Sequence, residues 1–102
     1  MNEELKKVVD IIVRDFAPDK IILFGSRARG DFKKNSDYDL MVLKTDVPHR
    51  RKMAQDIEMH LYPLPTPTDI IVETPAHYEE LTHNKFMIYK EIKKEGKVIY
   101  EK

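Results

Sequence analysis

The spacing of apolar residues changes along the chain, and the changes predict the elements. Leu5, Val8, Val9, Ile12, Val13 and Phe16 recur at i, i+3, i+4 intervals, with Glu3, Glu4, Lys6, Lys7, Asp10 and Arg14 between them. That is the period of an amphipathic helix of about four turns, and Pro18 ends it. Lys20–Phe24 then runs apolar up to Gly25, the pattern of a short buried strand. Asp37–Leu43 reads as a second strand with two acids at its start. A second long helix follows, with Met53, Ile57 and Leu61 on its apolar face, Thr45 or Asp46 as its cap and Pro48 near its first turn. Pro63, Pro65 and Pro67 end that helix and stiffen the connection to a third strand, Thr68–Glu73. Thr74 and Pro75 open a short helix with Tyr78 and Leu81. A last helix carries Phe86, Ile88, Tyr89 and Ile92, Gly96 stops it, and Lys97–Tyr100 forms a final short strand.

The connection over Gly25–Gly30 is too short for the helical crossover that a parallel pair requires, so the first two strands are expected to be antiparallel. The long helix then returns the chain for strand three. The expected fold is α/β (α+β), a small mixed sheet with helices packed mainly on one face, in a single domain spanning residues 1–102.

Composition narrows the function. The chain is 41% hydrophobic and 35% charged over 102 residues, enough for one folded core and too little for a large enclosed cavity. An active site here is expected to be an open cleft, or one completed by a partner. Lys plus Arg and Asp plus Glu are both 18, which argues against attachment to nucleic acid by bulk charge and leaves room for a single nucleotide. Cysteine is absent from the sequence, which excludes disulfides, a thiol nucleophile and Cys-ligated zinc. No apolar run approaches the ~18 residues of a membrane span, and Met1–Glu4 carry no secretion signal, so a soluble cytoplasmic protein is expected.

The residues that carry chemistry start at Asp37-Tyr38-Asp39. Alternation along a strand puts Asp37 and Asp39 on one face, roughly 6.6 Å apart, and turns Tyr38, Leu40 and Val42 toward a core. Like charges so placed repel unless a cation sits between them. Oxygen-only ligands suit Mg²⁺, which takes one or two carboxylates with phosphate and water. Taken alone, strand-end acid pairs are common and most are simply solvated. Asp69 changes the balance, because it opens the third strand and would bring a third carboxylate to the pair if that strand lies beside the second. Gly25-Ser26 sits between a buried strand and a helical turn, where a phosphate could be cradled by backbone N–H groups and the serine hydroxyl. Arg27 and Arg29 could reach phosphate oxygens; taken singly, each reads first as a surface residue. Phosphate cradle and acids together fit phosphoryl transfer, in which two metals about 3.5–4 Å apart stabilise attacking and leaving oxygens. His49, His60, His77 and His83 have no metal-ligand spacing and read as surface or packing residues.

The run GSRARGDFKKNSDYDLMV, Gly25–Val42, resembles the nucleotidyltransferase signature of the DNA polymerase beta-like superfamily: Gly-Ser and, about ten residues on, Asp-x-Asp. With its small size, the chain is similar to the minimal nucleotidyltransferases, the MntA-type antitoxins encoded beside a helical HEPN toxin. The resemblance implies that Gly25 and Ser26 hold the triphosphate of ATP, and that Asp37, Asp39 and Asp69 bind two Mg²⁺ ions. It implies that Asp69 also helps deprotonate an acceptor hydroxyl, and that the acceptor is a tyrosine of the HEPN toxin, silenced by AMPylation. Two other readings stay open at this stage: a binding module that neutralises its partner by occlusion, and nucleotide transfer to a small molecule or RNA. The base, the acceptor and the oligomeric state are not fixed by the sequence.

Overall fold

A computed structural model of the chain describes residues 1–83 and 87–102. Helix α1 spans Glu3–Phe16 and buries Leu5, Val8, Val9 and Ile12, the stripe its period requires. Asn2 caps it by accepting the Leu5 N–H at 2.7 Å. Ala17 closes it in the left-handed region at φ 47°. Strand β1, Lys20–Phe24, leads into a single helical turn, α2, Ser26–Arg29. Strand β2 is Tyr38–Leu43, and α3, Arg50–Leu61, carries the chain across to β3, Thr68–Glu73. Helices α4, Pro75–His83, and α5, Met87–Glu95, precede the last strand, β4, Lys97–Glu101. Phe86, which the periodicity assigns to the last helix, lies outside the described residues. No helix among the described residues is long and apolar enough to cross a membrane.

The four strands lie in the order β3-β2-β1-β4. β1 pairs antiparallel with β2 and with β4, and β2 pairs parallel with β3. This is the mixed sheet expected from the connection lengths. Helices α1 and α3 pack on one face, against Ile21, Leu23, Tyr38, Leu40, Val42, Ile70 and Val72. The alternate residues Ile22, Phe24, Met41 and Leu43 face the other way and are covered by Tyr78 of α4 and Ile92 of α5. The two longer helices thus share one face, as expected, but the second face is also sheltered. β1 and the inner part of β2 are apolar on both sides because both sides are buried.

One boundary differs from the expectation. α3 begins at Arg50 with His49 at its N-cap and no side-chain cap, so neither Thr45 nor Asp46 caps it. Thr45 is instead engaged elsewhere: its N–H and hydroxyl donate to Asp19 Oδ2 at 2.7 and 2.8 Å. Asp46 turns the chain in the left-handed region at φ 61°. A local turn with a long-range anchor has displaced the helix start by several residues.

Candidate active site

The register of the sheet places the site. Phe24 of β1 pairs with Asp39 of β2, and Asp39 pairs with Asp69 of β3. The end of β1 and the starts of β2 and β3 therefore meet at one end of the sheet. The third carboxylate expected to join the acids lies directly opposite Asp39 in a parallel pair. Asp39, Met41 and Leu43 alternate with Leu40 and Val42, so Asp39 sits on the α4/α5 face.

Gly25 follows β1 with φ 72° and ψ −158°, a conformation essentially reserved for glycine. A Cβ there would collide with Asp39 Oδ2 and stand 3.0 Å from its Cγ. The Asp39 carboxylate thus occupies the place of the missing side chain. Beyond Gly25, the Ala28 and Arg29 N–H groups both donate to Gly25 O, at 3.0 and 3.1 Å, closing the turn that Ser26 opens. Gly30 ends the turn in the left-handed region, its N–H bonded to Ser26 O.

Electrostatics match this crowding. Burial, then the neighbouring charges of Asp69 and Asp37, push the Asp39 carboxyl above its ordinary value, and Arg29 opposes them. Arg29 is near enough to act on Asp39, although its guanidinium also pairs with Asp31 at 3.3 Å and Glu95 at 3.6 Å. Arg27 is placed differently. Its guanidinium lies 4.3 Å from the Phe32 ring centroid and 4.4 Å from that of Tyr38. Its N–H groups donate to the carbonyls of Ser36 and Lys34 at 3.2–3.3 Å. Arg27 organises the loop that presents Asp37, and these donors are engaged there. Asp37 itself is exposed, one residue before β2. Ser36 holds the loop as well, its Oγ accepting the Lys33 N–H at 2.8 Å. Tyr38 anchors the start of β2 to α1: its hydroxyl donates to Glu4 at 3.1 Å and accepts from Asn2 at 3.0 Å.

Two groups here had no signal in the sequence. Glu58 of α3 accepts from the Thr68 hydroxyl at 3.2 Å, and its carboxyl is pushed up by burial and by Asp69 and Asp37. A helical glutamate among many others gives no hint that it will end beside the acids. At the far end of β3, the buried Glu73 carboxylate pairs with Arg50, meets His77 Nδ1 at 2.6 Å and accepts from Tyr89 at 3.1 Å. Burial opposes its charge, but these partners hold it below the ordinary carboxylate value. Tyr89 in turn is pushed up to about 12 by burial and by Glu73.

Among the described residues, no three His, Asp or Glu side chains form a ready-made cage for a metal ion. The donor set still fits a hard divalent cation, because Mg²⁺ is typically held by one or two carboxylates and completed by substrate phosphates and water. Asp39 and Asp69, in register and mutually repelling, are the carboxylates that would hold it.

Comparison with known proteins agrees with this geometry. The family model described as "Polymerase beta, Nucleotidyltransferase" matches residues 6–102. A Methanocaldococcus jannaschii protein named "Putative protein adenylyltransferase" is 37% identical over 57 residues, which are 56% of this chain and 57% of that protein. The match thus spans little more than half the length of this curated relative. A crystal structure of a toxin-antitoxin with AMP-PNP matches with a TM-score of 0.60 and 24% identity, over 95% of this chain and 73% of that one. A mutant of the toxin-antitoxin MntA-HpeT matches with a TM-score of 0.63 and 21% identity, over 100% of this chain and 75% of that one. The fold is shared with these structures, and with the family model covering nearly all of its residues the chain belongs to the polymerase beta nucleotidyltransferase family.

Proposed function

We propose that this nucleotidyltransferase moves AMP from ATP to a hydroxyl of a partner protein, as the antitoxin of a toxin–antitoxin pair. The partner is a HEPN-type toxin and the acceptor is a tyrosine. The observation that carries the reading is the pairing of Asp39 with Asp69 across β2 and β3, beside a glycine whose missing side chain makes room for the Asp39 carboxylate. The adenylyltransferase name of the M. jannaschii relative and the toxin-antitoxin neighbours support the choice of nucleotide and partner.

Asp37, Asp39 and Asp69 are the residues that would hold Mg²⁺, which when bound neutralises phosphate charge and polarises the reacting oxygens. Gly25 lets the backbone approach the triphosphate closely, and Ser26 offers a hydroxyl donor beside it. Arg29 adds a positive charge close to Asp39. Asp69, exposed at the sheet edge, takes the proton of the acceptor hydroxyl. The acceptor oxygen forms a bond to the α-phosphorus of ATP, the bond from that phosphorus to the β-bridging oxygen breaks, and pyrophosphate leaves with the electron pair.

The test is transfer of label from [α-³²P]ATP with Mg²⁺ to a helical HEPN-type toxin, sought first in the reading frame next to this one. The reading expects label on a partner tyrosine, lost in Asp39→Asn and in Asp69→Asn. Label that persists when Asp37 and Asp39 are both replaced would overturn it. Neutralisation of the toxin by those inactive variants would replace it with occlusion.

A further inference from the structure

β3 is an edge strand, with no further strand paired to its outer side among the described residues. The Pro67 and Glu73 carbonyls accept from Tyr38 and Lys44 on the β2 side. By alternation, the main-chain groups of Thr68, Ile70 and Val72 face outward. Glu58 of α3 reaches this side, accepting from the Thr68 hydroxyl and lying near the Ile70 N–H, which leaves both main-chain groups of Thr68, Ile70 O and both groups of Val72 as the outward-facing set. Proline, lysine and bulges, the usual protections of an exposed edge, are absent from β3. The other edge, β4, is shielded by Lys97, Glu101 and an irregular register.

A groove of about 1030 Å³ runs along this edge. Its walls come from both faces of the sheet, Ala54 and Gln55 of α3 on one side and Tyr89 of α5 on the other, so it opens along the strand itself. Arg50, Arg51 and Lys52 line it; Arg50 pairs with Glu73 and Lys52 reaches Asp56 at 3.6 Å, which leaves a local excess of one positive charge, at Arg51, among the described residues of a chain whose formal net charge is zero. The basic end lies by Glu73; at the other end, four residues or about 13 Å along β3, stands Asp69.

We propose that this edge seats an extended acidic segment of the partner protein, which adds as a fifth strand to β3 and so delivers its hydroxyl to Asp69. The proposal rests on the transferase reading above and names how its acceptor is recognised: main-chain pairing gives the seat and Arg51, with Lys52 beside it, chooses an acidic sequence. The acidic residues fall about four positions from the acceptor hydroxyl. A second copy of the chain is a poorer occupant, because the three residues whose main-chain groups face outward cannot by themselves bury the ~1,200 Å² of a stable dimer.

The test uses a fluorescein-labelled peptide with an acidic pair four residues from a tyrosine, read by anisotropy without nucleotide. The expected result is binding about tenfold tighter than that of the same peptide with lysines for the acids. Binding should be lost when one of the two alternate sets of amides is N-methylated, and lost in Arg51→Glu/Lys52→Glu. Equal binding of the lysine peptide, indifference to N-methylation in both sets, or full displacement by a single-stranded oligonucleotide at equal concentration would overturn it. So would concentration-dependent self-association of the chain that the double charge reversal abolishes. Docking without label transfer would sink the transferase reading alone; transfer without the charge and N-methyl effects would sink the docking proposal alone.

Discussion

Replacing Gly25 by alanine separates the two roles this glycine plays. Its φ of 72° and ψ of −158° belong to glycine, and holding an L-residue there costs on the order of 1–3 kcal/mol. The new Cβ also collides with Asp39 Oδ2 and presses on its Cγ at 3.0 Å, and overpacking of this kind costs about 1–3 kcal/mol. Together, Gly25→Ala loses about 2–6 kcal/mol and lowers the melting temperature by roughly 8 °C or more. Nucleotidyl transfer should vanish even well below the melting point, because the carboxylate must leave its place. The double variant Gly25→Ala/Asp39→Ala removes Oδ2 and Cγ and leaves only the Asp39 Cβ, at 3.3 Å. The collision is then gone while the backbone strain remains. A double-mutant cycle by urea unfolding should show the two substitutions to be less destabilising together than their sum, by about 1–3 kcal/mol. Additive effects, or a single variant that melts and reacts like the parent, would refute the reasoning.

Four further outcomes follow from the same geometry. Asp39 has a folded-state pKa above its ordinary value, so its contribution to stability is intact in acid and lost as pH rises through the folded value; Asp39→Asn should melt above the parent at neutral pH without Mg²⁺, lose that advantage near pH 4, and fail to respond to Mg²⁺, all read by scanning calorimetry. Glu73 is held below its ordinary value, so its share is present near neutrality and lost as pH falls through the folded value; Glu73→Ala should cost about 2–3 kcal/mol in urea unfolding at pH 7 and less in acid. Arg27→Ala should cost about 1–2 kcal/mol and raise hydrogen exchange over residues 31–37, and Arg27→Lys should not restore protection, because a planar guanidinium between two rings and two carbonyls has no ammonium equivalent. Ala17→Gly should add about 0.5–1 kcal/mol, since the helix ends there at φ 47°.

Most of the framework was legible in the sequence because it rests on local pattern. The stripe Leu5–Phe16 can only be a one-sided helix, and the connection over Gly25–Gly30 is too short for anything but an antiparallel pair. Asp69 was legible as a strand-start acid, but its partner in space follows from the parallel pairing of β2 and β3, which no local pattern carries. The start of α3 was misplaced because Thr45 has the chemistry of a cap and is claimed instead by Asp19, 26 residues away. Arg27 had the chemistry of a phosphate ligand, and only the fold reveals two rings and two carbonyls waiting for it. Glu58 and Glu73 were invisible for a related reason: their surroundings are assembled from elements distant in sequence.

The central claim is that Asp39 and Asp69, paired across two strands beside Gly25, hold a divalent cation and through it the phosphates of a nucleotide. The most direct measurement is a crystal structure with Mn²⁺ and AMP-PNP, located by anomalous scattering. The account predicts a manganese peak within ligand distance of both carboxylates and the triphosphate against Gly25 and Ser26. Manganese bound away from the two acids, or a nucleotide seated on another part of the sheet, would contradict it.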